Sequence, residues 1–370
     1  MRSAVVGALG VFCFVSVGSD VGRAQGLMGG APRGAGVSRN EAAVATSPMQ
    51  APVLGFVSVA PPGAAMGRTR IVSGAGWSRA TVRLYPIAGV PGSAVISGPV
   101  ALPAGVTGIH FAPNQSFALV ETDLRESVGL LQLSGSQPVL GAALPAGITA
   151  PDLVSFSPGG SAAALLSRAE GRLAVLNGLP GAPQLAREIT GAALPEGIVQ
   201  VAAADDGATV LAGTSDGRVV LLAADGSQRL LYTATELGGI AFEPVSTDAV
   251  VFDRGVGQAM LIANAGAAPA VRLLAENLPK QNGTAVLQVD ARAAFVSGVG
   301  AKDVWRIDLQ TQQVQDIHLP SALSTMQPLR APGRYLLSAQ AGQPAWVLDT
   351  SGETSAVYFV PRQIAADRVR

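Results

Sequence analysis

Val154-Ser155-Phe156-Ser157-Pro158-Gly159-Gly160 reads as an apolar strand that ends in a proline–glycine turn. The pattern returns as Val57-Ser58-Val59-Ala60-Pro61, Ile109-His110-Phe111-Ala112-Pro113, Val201-Ala202-Ala203-Ala204-Asp205, Ile240-Ala241-Phe242-Glu243-Pro244 and Val286-Leu287-Gln288-Val289-Asp290, with a degraded copy from Met326 to Pro332. Successive copies end 39 to 52 residues apart. A period of that size, filled with short strands, is what the blades of a propeller leave in a sequence. The spacing predicts an all-β chain, a seven-bladed β-propeller over residues 53–361 with four antiparallel strands per blade. A solenoid or a pair of β-sandwiches has similar strands, but four-strand units at this period favour the ring.

Within each repeat a second strand follows the turn, as in Phe117-Ala118-Leu119-Val120 and Ala163-Ala164-Leu165-Leu166, and as Arg70-Ile71-Val72-Ser73 in the first repeat. Third strands come after a polar hairpin, from Thr81–Tyr85 in the first repeat to Ala345–Leu348 in the last. Turns such as Asn177-Gly178 and Asp225-Gly226 suit the positive φ of tight hairpins. Fourth strands run into Leu-Pro steps, for example Leu144-Pro145, Leu194-Pro195 and Leu319-Pro320. Proline has no N–H for a ladder and belongs at the exit of an edge strand. In this reading each repeat supplies all its own strands, the ring closes without exchange between the termini, and residues 362–370 are a short tail. A competing register lays Val53–Ala60 on the last repeat as an outer strand.

Apolar residues make up 48% of the chain and aromatics only 5%, so the core must be built from Ala, Val and Leu. Twenty-five cationic residues balance 25 anionic ones, which excludes the basic footprint of a nucleic-acid partner. At the N-terminus, Arg2 precedes an apolar run from Ala4 to Val17 that is short for a membrane span, and Gly22-Arg23-Ala24 places small residues where a signal peptidase needs them. Residues 1–24 therefore read as a signal peptide cleaved before Gln25, giving a periplasmic or secreted protein with no stable membrane span after cleavage. Cys13, the single cysteine, falls inside that segment, so the mature chain has no disulfide. Residues 25–52, rich in Gly and Ala without apolar periodicity, read as a flexible linker.

Val304-Trp305-Arg306-Ile307-Asp308 and Trp346-Val347-Leu348-Asp349-Thr350 resemble the apolar-strand-then-Asp step of YVTN-type and WD40-like propeller repeats. Phe156-Ser157-Pro158-Gly159-Gly160 is similar to the inner-strand turn of the same group. The likeness spans residues 53–361 and lacks the His-containing and Trp-Asp signatures of true WD40 repeats. It implies a bacterial exported propeller. Roles within the group are diverse, so it implies no particular activity.

Gly213-Thr214-Ser215-Asp216-Gly217 matches the nucleophile elbow of serine hydrolases, but it lies between a second and a third strand with no helix after it and reads as a hairpin. The two histidines, His110 and His318, occupy different places in their repeats, whereas a metal site needs three or four converging ligands. Asp205-Asp206-Gly207 lacks the alternating acidic ligands of a calcium loop. No catalytic, metal or cofactor site is expected. First strands, which face the channel, are mostly Val, Ile, Ala, Phe and Gly, and Glu196 and Lys280 are among the few charges in the loops entering them.

Charge gathers instead in the loops between second and third strands: Trp77 and Arg79, then Glu121, Asp123 and Arg125, then Arg172, Asp216, Arg218, Asp253, Arg254, Lys302 and Asp303. Those loops share a face with the blade-to-blade connections, and a rim of mixed charge there suits an unknown protein or a polar ligand. The reading is a non-catalytic binding scaffold. The alternative is a hydrolase or lyase of an extracellular sugar or lactone, which requires two carboxylates, or a carboxylate beside His110, at the channel mouth.

Overall fold

The computed structural model describes residues 52–59, 82–122, 128–134, 137–145, 151–223, 225–280, 283–337 and 345–363. The expected signal peptide and nearly all of the linker lie outside these residues, as do Arg70–Ser73, Trp77, Arg79, Asp123 and Arg125.

Six sheets have four antiparallel strands each, in sequence order from the channel outward. Blade 2 holds β4 (Val106–Phe111), β5 (Phe117–Thr122), β6 (Val128–Gln132) and β7 (Val139–Ala143). Blade 3 holds β8 (Leu153–Phe156), β9 (Ala163–Ser167), β10 (Arg172–Asn177) and β11 (Gln184–Thr190), and blade 4 holds β12 (Ile198–Ala203), β13 (Val210–Thr214), β14 (Arg218–Leu222) and β15 (Gln228–Thr233). Blade 5 comprises β16 (Leu237–Phe242), β17 (Ala249–Asp253), β18 (Gln258–Ala263) and β19 (Ala270–Ala275). Blade 6 comprises β20 (Ala285–Val289), β21 (Ala293–Gly298), β22 (Asp303–Asp308) and β23 (Val314–His318). Blade 7 comprises β24 (Met326–Pro328), β25 (Arg334–Leu337), β26 (Ala345–Asp349) and β27 (Ala356–Val360).

Strand residues alternate between the two faces of a sheet, and here both faces are buried. Ala163 and Leu165 of β9 pack on blade 2, whereas Ala164 and Leu166 pack on blade 4. Repeated around the molecule, this alternation produces seven separate apolar clusters, one in each gap between neighbouring blades. The cluster joining blade 7 to blade 1 closes the circle, with Leu329, Leu336 and Val347 against Leu54, Val57 and Ile87. The seven-bladed propeller expected from the repeat is the observed fold. Small side chains let the sheets approach closely, as the scarcity of aromatics requires.

Blade 1 departs from the expected assignment. Its described strands are β1 (Val53–Val59), β2 (Arg83–Ala88) and β3 (Val95–Ile96), and β2 pairs directly with β1 through Val57 and Tyr85. The segment read as a third strand, Thr81–Tyr85, thus belongs mainly to the second. The long connection from Val59 to Arg83 stretches this repeat, and equal strand spacing misplaces whatever follows it.

Ring closure also differs from both registers considered. Blade 7 is complete without Val53–Val59. Instead, the chain beyond β27 reaches the outer edge of blade 1, where Ile96 donates to the Pro361 carbonyl at 2.8 Å and receives the Gln363 N–H at 2.9 Å. This makes a parallel bridge between Ile96 and Arg362, and the Arg362 guanidinium lies 4.5 Å from the centre of the Tyr85 ring. An outer edge left open would offer unpaired backbone groups to other chains, and the C-terminal residues cover it.

Candidate ligand-binding site

In an up-and-down blade, the turns after the first and third strands share one face of the ring. The turns after the second strand lie on the other, with the links to the next blade. The rim expected to bind a partner is on this second face. Among the described residues its charges are met locally. Arg172 bonds Glu188 at 2.9 Å, Arg218 bonds Asp216 at 2.7 Å and His318 meets Asp303 at 2.7 Å. Arg254 donates to the Gly283 carbonyl at 2.6 Å. Asp253 is 1% exposed and accepts the N–H groups of Thr235, Glu236 and Gly255, so it shapes a turn. Lys302 is exposed.

Glu121 meets His110 at 3.0 Å, the carboxylate–histidine pair that the enzymatic alternative calls for. Gly108 makes room for it, since a Cβ there would lie 3.0 Å from the Glu121 carboxyl carbon. Neither residue is among those lining the channel, and no group of three or more potential metal ligands occurs among the described residues. The Gly213–Gly217 motif is the β13–β14 hairpin, with Gly217 at φ 86°. Asp206 bonds Thr209 and Ala208 within its own turn, and Asp205 ties the turns of blades 3 and 5 by accepting Gly159 N–H at 2.7 Å and Val245 N–H at 2.9 Å.

The channel is lined by the first strands of blades 2 to 7, with a volume of about 350 Å³. Its walls carry Val154, Phe156, Val201 and Phe242, as expected, together with Gln200, Gln288 and Gln327, and no carboxylate. Blade 1 contributes nothing to this lining. In front of it, the buried Gln115 accepts the Phe56 N–H at 2.6 Å and donates to the Pro328 carbonyl at 2.8 Å, joining blade 2 to blade 7.

The largest concavity lies at the other end, on the face of the first-to-second turns. It holds about 470 Å³, within the range of small-ligand pockets, and shares Pro113, Pro158, Val289 and Pro328 with the channel. The repeated strand–proline turn that reveals the fold therefore builds this mouth. Prolines fix φ and stiffen the wall. Charge enters from blades 6 and 7: Arg292, Arg306, Arg330 and Arg334 face the space against the single carboxylate of Asp290.

The inner face of this cavity is fully hydrogen-bonded. Asp290 accepts the N–H groups of Arg292 and Ala293 at 2.8 Å each and the Tyr335 hydroxyl at 2.8 Å. Burial, reinforced by the Asp290 charge, pushes the Tyr335 phenol far above its usual range, so it stays a hydrogen-bond donor. Arg334 pairs with Asp349 at 3.1 Å. Arg330 donates to the Leu133 carbonyl at 2.5 Å and stacks 4.9 Å from the Phe56 ring. Arg292 and Arg306 have no hydrogen-bond or ion-pair partner for their guanidiniums among the described residues. Sequence reasoning missed this set. The available signal was an arginine in the first-to-second turn of two consecutive blades.

Together these features define a β-propeller with an arginine-lined mouth. No protein-family model matches the chain, and no curated protein matches it. Solved structures are similar at the level of the fold. A functionally unknown protein from Desulfotomaculum acetoxidans is 15% identical with a TM-score of 0.49, over 76% of this chain and 96% of that one. The hydrazine synthase of Kuenenia stuttgartiensis is 15% identical with a TM-score of 0.47, over 74% of this chain and 88% of that one. PorZ, a surface component of the type-IX secretion system of Porphyromonas gingivalis, is 15% identical with a TM-score of 0.50, over 77% of this chain and 36% of that one. No helix among the described residues is long and apolar enough to cross a membrane.

Proposed function

We propose that this protein is an exported, non-catalytic binding module that holds its ligand at the channel mouth on the face of the first-to-second turns. The observation that carries the reading is the cavity of about 470 Å³, walled by prolines and flanked by unpaired guanidiniums, with no acid–base pair at its centre. Export is supported by Arg2, the Ala4–Val17 run and the Gly22-Arg23-Ala24 step, and N-terminal sequencing of the mature protein should begin at Gln25. The YVTN-like strand steps at Val304–Asp308 and Trp346–Thr350 fit the same picture.

The test is a thermal-shift screen of a mixed small-molecule library. Compounds that stabilise the parent should lose their effect with Ala291→Trp, which fills the cavity, and keep it with Arg172→Glu and Arg218→Glu on the opposite face. Binders unaffected by Ala291→Trp but abolished by the rim reversals would move the site to the rim.

The enzymatic alternative, a hydrolase or lyase of a sugar or lactone, draws on the His110–Glu121 pair at 3.0 Å. Its check is turnover of chromogenic glycosides and lactones by the parent, lost in both His110→Ala and Glu121→Gln. Absence of turnover removes it.

A further inference from the structure

Four arginines against one aspartate line the mouth of a chain whose total charge is balanced, so the imbalance is local. Two of the four, Arg330 and Arg334, are held by Leu133 and Asp349. Asp290, the only lining carboxylate, already accepts three hydrogen bonds and has little capacity left to neutralise Arg292 or Arg306. Asp308 lies on the same strand as Arg306 and is occupied by its own turn, where Oδ1 accepts the N–H groups of Gln310 and Thr311. Strand register directs Arg306 inward: it pairs with Phe295, whose ring lies 5.0 Å from that of Tyr335, and so faces blade 7.

A cation would be repelled here. A neutral ligand would strip water from two guanidiniums and return nothing for it. An anion with planar oxygens answers both, since a guanidinium binds carboxylate and phosphate through parallel N–H donors. The remaining wall is Pro113, Pro158, Pro244 and Val289, which suits an apolar body rather than a bare ion.

Building on the reading of this cavity as the ligand site, we propose that it takes an organic oxyanion, a carboxylate or phosphate ester, with the charge held by Arg292 and Arg306 and the apolar body against the prolines at the channel mouth.

The experiment is calorimetric titration of the full chain with benzoate, phenyl phosphate, benzamide and inorganic phosphate. The parent should bind benzoate or phenyl phosphate about tenfold or more tightly than either benzamide or inorganic phosphate. The order of the two organic anions tells carboxylate from phosphate. The double variant Arg292→Gln/Arg306→Gln should bring the organic anions down to the level of benzamide, and Arg306→Lys, which keeps the charge, should restore part of the preference. Matching thermal unfolding of each variant excludes a folding defect. Benzamide binding as well as benzoate, lost with Ala291→Trp, would overturn the oxyanion while leaving the cavity as the site. Anion binding unchanged in the double variant, or no binding of any of the four probes, would also overturn it.

Discussion

The side-chain amide of Gln115 donates to the carbonyl oxygen of Pro328 at 2.8 Å, across 213 residues of sequence. Its carbonyl accepts the Phe56 N–H, so one fully buried side chain ties blades 1, 2 and 7 where the ring begins and ends. Gln115→Leu would leave both backbone groups buried and unpaired. Each such group costs about 1–3 kcal/mol, so the substitution should lower stability by about 2–4 kcal/mol in urea titrations.

The C-terminal bridge should matter in the same way. A chain ending at Val360 loses the two hydrogen bonds to Ile96 and the Arg362–Tyr85 contact, whereas one ending at Gln363 keeps them. The shorter chain should be less stable by about 1.5–4 kcal/mol, and hydrogen exchange at Ile96 should accelerate.

Glycine at position 239 lets blade 5 approach blade 6, because a Cβ there would lie 2.7 Å from the Cβ of Leu287. That atom is fixed to the backbone of β20 and cannot swing away. Gly239→Val should destabilise by about 1–3 kcal/mol or more without changing the strand content seen by circular dichroism.

Several aspartates that close turns should make the protein acid-labile. Burial raises the Asp206 and Asp349 pKa values, but hydrogen bonds from Thr209 and Ala208, and from Ser351 and Arg334, with Arg187 near Asp206, more than reverse it, and both lie below the usual range. Asp308 is lowered chiefly by the Thr311 N–H. A carboxylate with a depressed folded pKa stabilises above its unfolded value of about 3.9, and that stability is lost as pH falls through the folded value. Stability measured by urea titration should therefore drop below about pH 4. Asp308→Asn should flatten that drop while keeping the turn.

Glu243 runs the other way. Burial and the neighbouring Asp248 raise its pKa, against Arg272, so ionisation disfavours the folded state. Glu243→Gln should raise stability slightly at pH 7, and the gain should vanish once the pH falls below about 4, where the carboxyl is protonated in both states.

The ring was readable because its causes are local and periodic. The prolines at 113, 158 and 244 end first strands at blade spacing, and the apolar runs of the second and third strands announce sheets buried on both faces. The Asp of the YVTN-like step also has a local cause, since Asp308 and Asp349 cap the hairpins that follow them. What escaped reading depends on distant pairs. Gln115 looks like an ordinary turn residue until Phe56 and Pro328 are beside it. Arg292 comes from a turn, Arg306 from a third strand and Arg334 from the start of a second strand, and only the blade 6–7 contact gathers them. The rim was conspicuous because its charges are clustered in sequence, yet that same nearness lets Arg218 and Asp216 satisfy each other.

The most direct check of the functional account is a crystal structure of the chain soaked in benzoate. It should show the carboxylate between Arg292 and Arg306 with the ring against the prolines of the channel mouth. Benzoate seated on the opposite rim, at Arg172 or Arg218, with the mouth empty, would contradict it.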